Sequence, residues 1–163
     1  MNVTFHVLAG LATAALLCNG DMECPRERGA RPWQAGLAGC VTGIGIHGLL
    51  DWLPHAYPIP SVVDVILALC VVSVAVGCAQ RRHRLLVLAS FLGAVLPDVV
   101  DLAPQLMNRH MGTALPVVRV FPWHWPAYSG SLYDGSRALE SAVHHVWVVG
   151  ASIGILVLRR RAI

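Results

Sequence analysis

The chain has 163 residues, of which 56% are hydrophobic and only 13% charged, about half the charged fraction of a soluble domain. Its mean hydropathy of +0.62 points to a lipid environment. The net charge of +3 is small and dispersed, which argues against nucleic acid as a partner. All twelve basic residues are Arg.

The length admits one domain, residues 1–163. The five cysteines, Cys18, Cys24, Cys40, Cys70 and Cys78, lack the paired spacing of a structural zinc site or a disulfide framework. They read as small packing residues.

A hydrocarbon core about 30 Å thick requires about 20 apolar residues in a helix, and only a helix satisfies its own backbone in lipid. Taken in chain order, the first apolar stretch is Val3–Cys18. It is short, lacks a preceding positive residue, and reads as a retained helix rather than a cleaved leader. Trp33–Leu53, Ile59–Ala79 and Arg84–Ala103 follow, and Ser141–Leu158 closes the set. The expectation is an all-α, polytopic membrane bundle of about five transmembrane helices. Gly39 with Gly43, and Gly150 with Gly154, are spaced as small-residue pairs that let helices approach closely; they are equally compatible with the ordinary tolerance of membrane helices for glycine.

Arginine placement orients the bundle. Arg26, Arg28 and Arg31 lie in the first loop, Arg81, Arg82 and Arg84 at the third, and Arg159, Arg160 and Arg161 in the tail. The positive-inside rule puts these on the cytoplasmic side, with the N-terminus out and the C-terminus in. The outer loop 104–140 carries Arg109, Arg119 and Arg137, with Pro116, Pro122 and Pro126. Those prolines oppose a continuous helix, and the segment is expected to lie over the outer mouth as a lid.

On this topology the ionisable residues converge. His6, His47, Asp51, His55, Asp64, Asp98, Asp101, His144 and His145 all fall toward the outer face, while His83 is the one cytoplasmic histidine. Ionisable groups inside a bilayer are costly and generally functional. His47 and Asp51 share a helix face at i, i+4, with His47 roughly 9 Å inside the boundary. Asp98 and Asp101 pair at i, i+3. Imidazole with carboxylate suits zinc or another divalent metal such as manganese. A divalent ion with an open position generates a hydrolytic nucleophile.

Several of these residues also have plainer readings. His110 and His124 read as interfacial, the latter inside an aromatic belt of Trp123, Trp125 and Tyr128. Asp64 reads as complementing the N-terminal end of its own helix, and Asp51 and Asp98 as ion-pair partners of Arg109 or Arg137.

The segments His47-Gly-Leu-Leu-Asp51-Trp-Leu-Pro-His55 and Leu96-Pro97-Asp98-Val-Val-Asp101, with His6 in Phe-His-Val-Leu-Ala-Gly, resemble motifs of the small bacterial inner-membrane proteins classed as metal-dependent hydrolases. That family shows an N-terminal histidine in an apolar helix, a Pro-Asp-x-Asp element and further histidines near helix ends. Here the acidic pair stands one residue further apart, and the family's His-x-x-x-Thr-His element is absent, with His144-His145 the candidate replacement. The resemblance implies a metal-dependent hydrolase of the bacterial inner membrane. Its ligands or their supports would be His6, His47, Asp51, His55, Asp98, Asp101, His144 and His145, with Asp98 as general base. A lipid or phosphate ester is the expected substrate, with Arg109 or Arg137 on the phosphate. The alternatives are a non-catalytic scaffold or subunit, metal-ion or proton transport, and haem binding; the sequence leaves the oligomeric state open.

Overall fold

The computed structural model describes residues 1–18, 32–134 and 137–160. Among these the chain forms six α-helices: α1 (Val3–Leu17), α2 (Pro32–Trp52), α3 (Ser61–Cys78), α4 (Arg84–Asp101), α5 (Ala103–Met111) and α6 (Ala138–Leu158). A 3-10 turn, Pro122–His124, lies between α5 and α6. Among the described residues there is no strand, only an isolated bridge between His55 and Ser131. Arg26, Arg28, Arg31, Cys24 and Arg161 lie outside the described residues.

Small side chains decide where α1 sits. Its Ala9, Gly10, Ala12, Ala14 and Ala15 are all buried, and the helix packs against α2, α3, α4 and α6. The shortest expected span is therefore the centre of the bundle, not a surface element. A Cβ on Gly10 would stand 2.8 Å from the Ala94 Cβ of α4.

The most extensive helix contact joins α2 to α4. Gly43 abuts the Ser90 carbonyl, and a Cβ on Gly93 would stand 2.2 Å from the Cys40 carbonyl oxygen. Gly39 and Gly43 thus form a close helix contact, whereas a Cβ on Gly150 or Gly154 would meet no other helix within 4 Å.

Asp64, on the first turn of α3, serves α1 rather than its own helix. Its carboxylate accepts from the backbone N–H groups of Val3 (2.7 Å) and Thr4 (2.9 Å), capping donors that have no intrahelical partner.

By length and composition, α3 and α6 can cross a membrane, and the α4–α5 pair, bent by 54° at its break, raises the number to three. α3 and α6 bury few residues and turn apolar side chains outward, as Val62 and Trp147 show. α1 is apolar but only 15 residues long. In α2, His47, Asp51 and the glycines dilute the hydropathy. Two or three spans are thus apolar enough, where five were expected.

The expected outer loop 104–140 begins with α5. Pro104 occupies the first turn of that helix, where its missing N–H costs nothing. Gly112 ends it with φ +65°, a left-handed conformation that favours glycine. The chain then runs back over the site end of the bundle. Gly130 donates to the Asp51 carbonyl (2.8 Å), and His55 N–H donates to the Gly130 carbonyl (2.9 Å). Arg160 shares a groove with Leu11, Cys78 and Ala79 at the opposite end.

Candidate metal centre

Three elements bring their polar groups to one point: the last turns of α2 and α4, and the 3-10 turn. His47 and Asp51 come from α2, Asp98 from α4, and His124 from the turn; one donor atom from each lies within 4.8 Å of all the others. His47 is fully buried, Asp51 and His124 nearly so.

The tautomers follow from the partners. His47 Nδ1 lies 2.6 Å from the Ala94 carbonyl oxygen, which can only accept, so Nδ1 carries hydrogen and Nε2 faces inward with a lone pair. His124 Nδ1 donates to Asp101 Oδ2 at 2.8 Å, and its Nε2 also faces inward. Each ring is held by an outer acceptor, the arrangement that orients metal-ligating histidines.

The four inward atoms are spaced like ligands. His47 Nε2 and His124 Nε2 are 3.3 Å apart. Asp51 Oδ2 lies 3.2 Å from the first and 3.1 Å from the second. Asp98 Oδ1 lies 3.6 and 3.4 Å from them. Tetrahedral zinc with bonds of 2.0–2.1 Å has ligand–ligand edges of about 3.3 Å. His47, Asp51 and His124 form the tighter face, and Asp98, the most exposed of the four, stands slightly farther off.

This crowding of acceptors calls for a cation. Burial opposes charge on the His124 ring, but hydrogen bonds to Asp51, Asp98 and Asp101 outweigh it and push its pKa up to about 10. His47, Asp51, Asp98 and His124 could hold a divalent ion in place of that proton. The residues present fit such an ion.

Asp101 acts behind this group. Fully buried, it accepts from Val120 N (2.8 Å), Phe121 N (2.9 Å) and His124 Nδ1. It therefore fixes both the incoming loop and the ring that the loop carries.

His6 and His55 reach the other oxygen of Asp51. His6 Nε2 is 3.1 Å from Asp51 Oδ1, and its ring stacks on His47 with centroids 3.9 Å apart. His55 Nε2 is 3.7 Å from Asp51 Oδ1 and lies nearer Ser131 Oγ (3.2 Å) and Tyr57 Oη (3.3 Å). Burial pushes the His55 pKa down to about 4. The Met1 amine also donates to Asp51 Oδ1 (2.7 Å).

His144 and His145 do not join the four-donor group. His144 Nδ1 donates to the Pro54 carbonyl (2.7 Å), and His145 stacks on Phe5. Arg137 pairs with Glu140 on the surface. Neither Arg109 nor Arg137 lines the cavity beside the centre. Arg119 does, and its guanidinium donates to the His124 carbonyl (2.8 Å).

The donor that sequence reasoning missed is His124, set aside as part of an aromatic belt. A signal for it exists in Pro122 and Pro126, which bracket the histidine and restrict its backbone. His110, the other histidine read as interfacial, is exposed on α5.

The sequence matches no family model, no curated protein and no solved structure.

Proposed function

We propose that the protein is a membrane-embedded, metal-dependent hydrolase acting on an ester at the outer face of the membrane. The observation that supports this reading is the set of four convergent donors, three of them buried and two of them imidazoles whose other nitrogen is already committed. A divalent ion bound there, zinc or manganese, lowers the pKa of water and polarises a phosphoryl or acyl oxygen.

The protein's own groups divide the remaining work. His47, Asp51 and His124 would hold the ion. Asp98, the more distant and more exposed carboxylate, takes a proton from the attacking water. In hydrolysis of a phosphate ester, the bond from phosphorus to the leaving oxygen breaks and water supplies its hydroxyl to phosphorus. The proton held by Asp98 then passes to the leaving alkoxide, so atoms and charge balance. Arg119, on the cavity wall, neutralises the phosphoryl oxygens.

The resemblance of the His47–His55 and Pro97–Asp101 segments to the bacterial inner-membrane hydrolases supports the same reading. On it, α1, α2, α3, α4 and α6 make a five-span bundle in the inner membrane, with the N-terminus outside and the arginine-rich ends inside. The acidic group is concentrated at one end of the bundle, which speaks against a continuous path for ion or proton transport.

Elemental mass spectrometry of detergent-purified protein tests the proposal, with phosphoester hydrolysis measured on the same samples. The expected result is near-stoichiometric zinc or manganese in the wild type, lost in His47→Ala and Asp51→Ala together with hydrolysis. Wild-type protein that takes up neither metal, even when supplied with it, would sink the reading in favour of a structural role.

A further inference from the structure

Two depressions of different character lie beside the centre. One, of about 330 Å³, is polar and is lined by Asp51, Tyr57, Arg119, His124, Ser131 and Tyr133 among others. The second, about 410 Å³, is an apolar groove on the outer surface of α2, lined by Gly45, Gly48, Leu49, Trp52, Trp123 and Tyr128, with Pro122. Their walls are made of sequence neighbours. Asp51, His124 and Ser129 line the polar cavity, while Trp52, Trp123 and Tyr128 line the groove. A molecule lying in the groove is therefore one residue's thickness from the metal donors.

The wall is held in that form by Gly48. A Cβ there would meet the Trp123 ring at 2.7 Å, so the indole rests directly on the helix backbone. The groove floor is thus coupled to the residue preceding the ligand His124.

Charge narrows the occupant of the polar cavity. A divalent ion balances Asp51 and Asp98, and the Asp101 carboxylate is engaged by two backbone N–H groups and the His124 ring. Arg119 then remains as the cation of the cavity wall, its guanidinium retaining donors beyond the one spent on the His124 carbonyl. The other wall supplies hydroxyls. Tyr57 Oη and Ser131 Oγ are 2.8 Å apart, and Ser129 Oγ donates to Ser131 Oγ at 2.9 Å. A single guanidinium facing a hydroxyl cluster suits a singly charged phosphodiester with a hydroxylated head. The groove suits a hydrocarbon chain, because Leu49 and Trp52 are exposed beside it in a helix that reaches the site.

Resting on the hydrolase reading for its chemistry, we infer that the substrate is a monoanionic phosphodiester lipid, bound with a chain in the α2 groove and its head in the Arg119 cavity. The lipid binds from the bilayer side, and the segment around Trp123 separates its chain from the ion.

Native mass spectrometry of the metal-loaded, detergent-solubilised protein tests this, using phosphatidylglycerol against phosphatidylcholine as probes. The comparison covers wild type, Leu49→Trp, which fills the groove, and Arg119→Gln, which removes the cavity cation; metal content reports folding in each. The wild type is expected to retain phosphatidylglycerol preferentially. Each variant is expected to weaken that retention about tenfold, the scale of one buried apolar side chain or one charge-assisted contact. Equal retention of both lipids, or unchanged retention in both variants, overturns the inference. Hydrolysis separates the two claims. Retained lipid that is never cleaved removes the hydrolase reading but leaves the lipid site. Cleavage of bis(p-nitrophenyl) phosphate with no preference for lipid removes the lipid site but leaves the hydrolase.

Discussion

Replacing Asp101 with Asn changes a carboxylate to an amide of the same shape, and the structure says what must then fail. Oδ1 accepts from Val120 N, while Oδ2 accepts from both Phe121 N and His124 Nδ1. An Asn side chain keeps a single acceptor oxygen. With that oxygen at the Oδ2 position, two bonds survive but an NH2 group faces the Val120 N–H. With it at the Oδ1 position, donors oppose both Phe121 N–H and His124, and the ring can regain a partner only by shifting its hydrogen to Nε2, the atom that faces the ion. The cheaper arrangement leaves one part-buried donor unmatched, a cost of about 1 kcal/mol. His124 also loses its anionic support, and loss of such a partner weakens metal binding about 10–100-fold. Competition with a chromophoric chelator measures the affinity on detergent-purified protein. Glu140→Gln serves as the control, because that surface pair with Arg137 is worth about 1 kcal/mol or less. Wild-type metal affinity in Asp101→Asn would refute the claim that this carboxylate positions His124.

The remaining predictions concern other parts of the same arrangement. Asp98→Asn should retain the ion while turnover falls about 10²–10⁴-fold, the usual worth of a general base; metal content and rate measured on one preparation separate the two effects. Metal uptake by chelator-stripped protein should release a proton. Because the His124 pKa is raised to about 10, its charged form stabilises the fold fully below about pH 6.5 and is lost as pH rises through 10. At pH 8 the ion must therefore displace that proton, and calorimetry in buffers of different ionisation enthalpy should count about one per ion; a buffer-independent enthalpy contradicts this. Gly93→Val should destabilise the bundle by about 1–3 kcal/mol in detergent unfolding, because the Cβ position lies 2.2 Å from the Cys40 carbonyl oxygen. Gly150→Ala, with open space around it, should be neutral within about 0.5 kcal/mol or slightly stabilising.

Much of the helix pattern was legible because lipid compatibility leaves a plain signature of long apolar runs. The starts of α3, α4 and α6 fall within a few residues of the apolar stretches that announced them. What composition could not convey was rank. α1 looked like the weakest element because of its length, yet its small residues let four other helices close around it. Likewise the fourth stretch was expected to give way to a loop after Ala103, although proline is well suited to a helix's first turn, and α5 begins at Ala103 with Pro104 in that turn. The glycine pairs show the same limit. Spacing alone treats Gly39–Gly43 and Gly150–Gly154 alike, and only the partner surface distinguishes them.

The candidate site was legible to the extent that its members lie on helices. His47 and Asp51 announce themselves by sharing a face deep in an apolar segment, and Asp98 with Asp101 by closing another. The division of labour between Asp98 and Asp101 was not visible, since both occupy the last turn of α4 and differ only in what approaches them. The approach is made by residues 119–124, whose backbone has no periodicity to read. His124 sits in that stretch among Trp123 and Trp125, where an interfacial histidine is the ordinary expectation. Its placement depends on a contact spanning 23 residues, from its Nδ1 to Asp101, and on Arg119 holding its carbonyl. What defines such a site is therefore acceptor geometry rather than motif spacing. A loop that satisfies its own N–H groups on Asp101 delivers a fourth donor to three that α2 and α4 already hold. The segment expected to act as a lid is in this way a part of the candidate metal centre, and its departure would remove one of the four donors.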